Sequence, residues 1–396
     1  MAREIELSTM FPGPLLRLDA FEAATFIRVR HQQYPWEDAW MRIMQVGIYQ
    51  KGPDVSQIGN TWLENLVEMY ALRPFQRQEI EQLGGQGAFL PAAWGNEPDR
   101  SGMVYSIPWL MDPRVVFYRQ DWFAQAGVEP SAAFASPAGF REALTRLRAA
   151  GAARYPLAMA TGGLTWHNLA SWVWAMGGDF RSPDGRRMTL MEPEARAGVV
   201  EFFKLFEFID PAVACKGSYE NDQLFLAGGA AVNVTGHWLA TRLRAAPDAA
   251  LPVVREHLGH ALPPGGVPYV GGSHLVVWRH SLHALEALEL IRHLLNAETL
   301  TQLALAGVGF PPLRQVYARP ALAGEPLFAG VIASLERGRS IFSGRRWAAV
   351  EVRLNDFIDR LWADLFANPT LDVEKEVESR LGALCSRLEK TLLAEW

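Results

Sequence analysis

Two periodicities alternate along the start of this chain. Arg3 to Ser8 places apolar and polar residues in turn, as a half-buried strand does, and Leu15 to Ala24 spaces its apolar residues as a helix does. Phe26 to Gln32 reads as a second strand, Pro35-Trp-Glu opens a helix that runs to Gln50, and Asp54 to Ile58 reads as a third strand. Thr61 reads as the N-cap of the next helix, with Glu64 three residues on as in a capping box. This β-α-β-α-β rhythm predicts a parallel sheet covered by helices.

The middle of the chain changes character. An apolar strand, Met103 to Ile107, runs into Pro108, and a second, Val115 to Tyr118, leads to a helix opening at Arg119-Gln-Asp-Trp-Phe. Proline stiffens such a joint and pushes its neighbours towards extended geometry. The pair fits a hinge shared by two lobes and equally a hairpin within one domain. Further on come a helix from Pro137 to Ala150, a strand at Leu157 to Ala160, and helices at His167 to Met176 and Pro193 to Phe208. A strand, Ala230 to Val234, ends at Thr235-Gly-His-Trp238. Leu262-Pro-Pro-Gly-Gly-Val-Pro268 reads as a link, followed by a strand at His274 to Trp278. The helix Leu282 to Asn296 repeats Leu285, Leu288, Ile291 and Leu295 at helical spacing, and Gly309-Phe-Pro-Pro312 precedes a helical tail. Breaks near 109–112, 262–267 and 309–313 are enough for the chain to cross three times between two α/β lobes.

Composition narrows the function classes. The 396 residues are 49% hydrophobic with a net charge of -5, enough chain for two domains with a large core. Charges of both signs are interspersed, so no basic patch for nucleic acid or an anionic membrane is built. No apolar run reaches the roughly 18 residues of a membrane span. The segment before Ile5-Glu-Leu-Ser8 has no basic n-region and apolar h-region, which taken alone reads as cytoplasmic. Cys215 and Cys385 sit in apolar, helix-like contexts and read as small buried hydrophobes rather than a disulfide pair. The 14 tryptophans are the outlier. Several fall at loops and strand ends, where a flat face suits a pyranose ring, while others, such as Trp362, read as core. There is no phosphate loop, His-Glu-x-x-His, Cys-x-x-Cys or Gly-x-Ser-x-Gly, so no catalytic residue, metal ligand or cofactor is expected.

Five segments carry a resemblance: Gly52-Pro-Asp-Val55, Gly102 to Phe123, Phe225 to Trp238, Gly271-Gly-Ser-His274 and Ala304 to Pro312. In order and spacing, over nearly the whole chain, they resemble the bacterial ABC-transporter extracellular solute-binding proteins of family 1, the maltose-binding-like group that carries carbohydrates. The resemblance implies an α/β, two-lobed periplasmic-binding-protein fold of type II-like topology, with a three-segment hinge and a ligand cleft between the lobes. It assigns 1–110 and 265–312 to the first lobe and 111–264 and 313–396 to the second. It implies a monomer that binds a mono- to oligosaccharide and passes it to the permease subunits of an ABC importer, without catalysis, cofactor or nucleic acid. It also implies a periplasmic or extracellular location, including lipoprotein-anchored forms.

Ligand sites in open α/β sheets lie beyond the carboxyl ends of strands. That rule selects Phe11 and Gly13 after the first strand, and Asn60 and Trp62 after the third. A plain turn and helix packing explain the same residues equally. The resemblance adds Asp112, at a position where related proteins carry a ligand-binding carboxylate, with Arg114 two residues on to orient it or touch ligand. Trp166 and His167 open a helix in the second lobe, and Trp238 matches a stacking tryptophan, with Gly236 letting the backbone approach. Gly272 and Ser273 start the returning strand, and Trp347 matches a tail tryptophan; Arg345 and Arg346 depart from the pattern. Three other readings stay open. One is an anionic polyol such as glycerol 3-phosphate held by Arg114, Arg345 and Arg346. The others are a sensory sugar receptor subunit and a glycoside hydrolase, though Asp112 has no evident carboxylate partner for hydrolysis.

Overall fold

A computed structural model describes residues 3–94, 103–163, 165–183, 185–341 and 347–393. Arg345, Arg346 and Gly102 lie outside the described residues. The strands are β1 (Arg3–Thr9), β2 (Ile27–Gln33), β3 (Val55–Gly59), β4 (Ile107–Arg119), β5 (Leu157–Met159), β6 (Val232–Gly236), β7 (Leu258–Ala261) and β8 (Val270–Val277). The chain packs into two compact units. The first comprises Met1–Asp112, Gly271–Pro326 and Ser340–Trp347; the second comprises Pro113–Val270, Leu327–Arg339 and Ala348–Trp396.

In the first unit β1 lies parallel to β2 and β3, and β3 pairs antiparallel with β8, in register Ile58↔His274. Every residue of β3 is buried, as expected of a strand covered on both faces. Its core joins Ile43 and Val46 of the helix Trp36–Tyr49 to Ile58, Leu66, Val276 and Trp278. The Trp278 indole N–H donates to Ser56 Oγ (2.7 Å), which also bonds Ser8 Oγ (2.7 Å), so β1, β3 and β8 are tied by side chains as well as by the ladder.

In the second unit β4 pairs antiparallel with β6 on one side and β7 on the other, and β5 runs parallel to β6. Aromatic rings fill the adjoining core. Trp172 packs edge-on to Phe140 and Phe202, and Trp362 packs on Phe202 and Phe203. Among the described residues no helix is long and apolar enough to cross a membrane.

Several sequence expectations change. No turn interrupts the chain at Pro108: Ile107–Arg119 is one unbroken strand containing both Pro108 and Pro113, and the change of unit after Asp112 falls within it. Proline's fixed φ and its effect on the preceding residue both favour extension, so the two prolines straighten this segment. The turn at 309–313 stays with the first unit, because Met111 bridges Phe310 and Phe89 bridges Leu313. The link at 262–267 stays with the second unit, where Gly265 N–H donates to the Phe134 carbonyl. The chain therefore changes unit after Asp112, Val270, Pro326, Arg339 and Trp347.

Local details shift too. Thr61 caps nothing: it is buried in a 3-10 turn, Asn60–Trp62, and the capping box belongs to Gln76 and Glu79. In the helix Ala284–Leu294 the buried face is Ala287, Leu290, Ile291 and Leu294, leaving Leu285 exposed. Both cysteines are free, and Cys215 is exposed rather than buried.

Gly272 shows how tightly β8 is seated. Its φ is +153°, and a Cβ there would stand 2.2 Å from the Leu110 carbonyl oxygen of β4. Gly151, with φ +73°, has open space around the same position. We expect Gly272→Ala to cost at least about 2 kcal/mol from strain and overpacking together, and Gly151→Ala about 1 kcal/mol from strain alone. Urea midpoints of the two variants measure this, and equal losses would show that the close approach to β4 is without consequence.

Candidate functional site

In each unit aromatic rings and buried polar groups gather at the ends of strands. In the first unit the chain leaving β1 places Phe11 edge-on to Trp36 (6.3 Å) and to Trp109 (6.4 Å). Trp36 in turn meets Trp62 (5.8 Å), and Trp62 meets Trp40 (5.4 Å). The row runs from Trp109, fully buried, to Trp36, 41% exposed. Phe11 and Trp62 are half-buried within it.

Gln57, in the middle of β3, ties the chain leaving β1 to β8. Its side-chain oxygen accepts from Met10 N–H (2.9 Å), and its amide donates to Ser273 Oγ (2.8 Å). Ser273 and Asn60 are both buried. Gly13 lies where a Cβ would meet His31 Nδ1 at 3.0 Å, so it permits the close turn after β1. Gly272 is committed to its approach to β4, and Asp112 is half-buried at the end of the first unit's share of that strand.

The second unit assembles its cluster beyond the carboxyl ends of the parallel pair β5 and β6. Trp238 follows β6. A Cβ on Gly236 would come within 2.1 Å of the Trp238 ring, so only glycine lets the indole lie against the strand. The indole N–H donates to Asp222 Oδ2 (2.8 Å), and Asn233 of β6 donates to Asp222 Oδ1 (2.8 Å). Asp222 is buried, and loss of hydration raises its pKa above the usual carboxylate value against the pull of these donors. The Arg114 guanidinium stands 4.9 Å from the Trp238 ring centroid. Trp238 itself remains half-buried, and His237 is buried with its ring edge-on to the indole (5.8 Å).

Arg114 also donates from Nη2 to His167 Nδ1 (3.1 Å). His167 stacks on Tyr269 (4.4 Å, 12°), and its Nε2 lies 3.9 Å from Glu351 Oε1. Burial first, then the Arg114 charge, hold the His167 pKa well below the ordinary histidine value, so the ring is neutral. With Nδ1 accepting from Arg114, the proton sits on Nε2.

Two expected contact residues are core. Trp166 is fully buried, with its indole N–H on Glu351 Oε1 (2.9 Å) and its ring against Phe180 and Tyr269. Trp347, expected from its place in the tail, is fully buried as well. Both are large apolar surfaces that the helices claim for packing. Sequence reasoning did not single out Gln57, Trp36, Trp40, Trp109, Asp222, Tyr269 or Glu351. The surplus of tryptophan hinted at the aromatic rows without indicating which rings would meet.

His274, beside Ser273, is buried with Nδ1 2.8 Å from Ser106 Oγ, and burial lowers its pKa to about 4. A base depressed in the folded state favours folding fully above its ordinary value of 6.5, and that contribution is lost as pH falls towards 4. The gap corresponds to about 3 kcal/mol. We expect the urea midpoint to drop between pH 7 and pH 4.5, and His274→Gln to flatten that drop. A variant whose midpoint falls as steeply as the parent's would assign the acid sensitivity to other groups.

The family described as bacterial extracellular solute-binding protein matches residues 17–330. Over 378 residues the chain is 24% identical to the diacetylchitobiose binding protein DasA of Streptomyces coelicolor, covering 91% of this chain and 84% of that one. The sugar-binding protein MalE of Xanthomonas citri superposes with a TM-score of 0.81 at 20% identity, covering 99% of this chain and 100% of that one. A chitin oligosaccharide binding protein superposes with a TM-score of 0.76 at 18% identity, covering 99% and 100%.

Proposed function

The chain belongs to the bacterial extracellular solute-binding proteins, and we propose that it captures a carbohydrate and delivers it to the permease subunits of an ABC importer. The observation that carries this reading is the Trp238 indole, held by Asp222 through its N–H and seated on Gly236 beyond the carboxyl end of β6. A half-buried indole held this way offers apolar ring surface to sugar C–H groups, while the neighbouring guanidinium and imidazole offer hydrogen bonds to hydroxyls. The row of Phe11, Trp36 and Trp62 offers the same chemistry from the first unit. DasA and MalE, by their names, bind sugars, which agrees with this chemistry.

The role is binding without turnover. A glycosidase sets two carboxyl groups on either side of the scissile bond. Here Asp222 is engaged by Asn233 and Trp238, and Glu351 by Trp166. The protein acts as a monomer outside the cytoplasmic membrane, where the importer's permease collects the solute. Binding shifts the protein's conformational population only by the solute's extra affinity for the favoured state.

Calorimetry against a panel of malto- and chito-oligosaccharides tests the reading, with at least one member expected to bind. For that sugar, Trp238→Ala should weaken binding at least tenfold, about 1.4 kcal/mol, as expected on removing an aromatic anchor. Asp222→Leu, which frees the indole N–H, should weaken it too, whereas Asp222→Asn keeps an acceptor and should retain most of the affinity. Hydrolysis of any panel member in proportion to protein would replace the carrier reading with an enzymatic one, and failure of every sugar, neutral or charged, to bind would remove it.

A further inference from the structure

We propose that the carbohydrate carries an anionic group, a carboxylate or a phosphate, and that Arg114 receives it. The inference rests on the carbohydrate reading and concerns the charge of the ligand.

Arg114 is only 8% exposed. Among the described residues its side chain makes one hydrogen bond, from Nη2 to the neutral His167, and its guanidinium faces the Trp238 ring. Its Nε is buried without a hydrogen-bond partner. Among the described residues no carboxylate lies within 4 Å of it. Asp112, two residues before it on the same face of the strand, is the nearest carboxylate along the chain and forms no ion pair with it; Glu351 and Asp222 are each one ring removed, Glu351 3.9 Å from His167 Nε2 and Asp222 on the Trp238 N–H.

The same strand shows the alternative. Arg119, five residues on and 3% exposed, also lies against a tryptophan, with its guanidinium 4.6 Å from the Trp122 ring centroid. Its charge is met by Asp121, which accepts from Nε at 2.8 Å and from Nη2 at 2.5 Å. A buried guanidinium without such a partner is costly, because its lost hydration is not repaid by an opposite charge. Arg119 shows the self-contained solution; among the described residues Arg114 has no carboxylate so placed, and it stands beside the half-buried Trp238 indole and the stacked His167–Tyr269 pair.

A neutral sugar hydroxyl would satisfy the Nε–H and leave the charge unmet. A carboxylate or phosphate meets both, because the guanidinium fork matches two anionic oxygens. His167 adds no second cation, so a single negative group is the natural complement.

Matched probes separate charge from ring. Calorimetry on the intact protein compares digalacturonate with its neutral methyl ester, and glucose 6-phosphate with glucose, alongside neutral malto- and chito-oligosaccharides. We expect one anionic member, from the carboxylate or the phosphate arm, to bind at least tenfold tighter than its neutral match, and that preference to shrink as salt rises. Arg114→Gln should erase the preference, and Arg114→Lys should keep part of it. Trp238→Ala should weaken charged and neutral sugars alike. Arg114→Met should leave the ligand-free melting temperature unchanged or higher, since it removes an unmet buried charge, whereas a purely structural arginine would lower it. A neutral sugar binding as tightly as its anionic match overturns the inference and leaves the carbohydrate reading standing. So does an anionic preference that survives Arg114→Gln. If no probe of either charge binds, the carbohydrate reading fails and this inference fails with it. The comparison of probes on the unaltered protein holds even if a variant does not fold.

Discussion

One strand, Ile107–Arg119, constrains most of what this protein can do. Its first residues belong to one compact unit and its last to the other, and the two prolines within it suit the extended path. Each unit organises its sheet on its own share of this strand. Gly272 presses on the Leu110 carbonyl in the first unit, and β6 and β7 flank Arg114 to Arg119 in the second. A residue with a side chain at 272, or a broken strand, would disturb β3 and β8, where Gln57 links Met10 to Ser273.

Alternation along the strand then gives its two buried arginines different surroundings. Successive residues of a strand face opposite sides, so Arg114 and Arg119 point to opposite faces of the sheet. Arg119 is neutralised by Asp121 two residues away. Arg114 is paired with a neutral imidazole and an aromatic face instead. The second unit thus contains both a finished and an unfinished charge environment on one strand. Solute-binding proteins need a surface that is incomplete until the solute arrives, and groups that already satisfy one another cannot provide it.

Trp238 shows how such a surface is kept in order. The indole has a carboxylate at its N–H and glycine beneath its ring, so its orientation does not depend on the solute. Holding an aromatic wall in place beforehand lowers the entropy lost on binding. The buried Asp222 that does the holding makes both of its side-chain oxygens acceptors for neutral donors, which is why its carboxyl tolerates burial at all.

The sequence by itself determined the family and many of the elements. Period-two and helical spacing located Arg3 to Ser8, the Pro137 helix and the strand before Trp238, because these signals are local and come from residues a few positions apart. It also indicated Trp238 and Gly236, since a glycine two residues before a tryptophan at a strand end is visible without coordinates. Only the tertiary structure decided which polar groups complete the sites. Gln57 meets Ser273 across 216 residues and Trp166 meets Glu351 across 185, distances over which no periodicity carries information. It also decided which tryptophans are fully buried and which keep part of their surface open. Trp166 and Trp238 look alike as residues, and burial by neighbouring helices in one case and support at the ring edge in the other make them different. That no carboxylate among the described residues pairs with Arg114 is likewise a tertiary fact, because a counter-charge is brought near only by the fold.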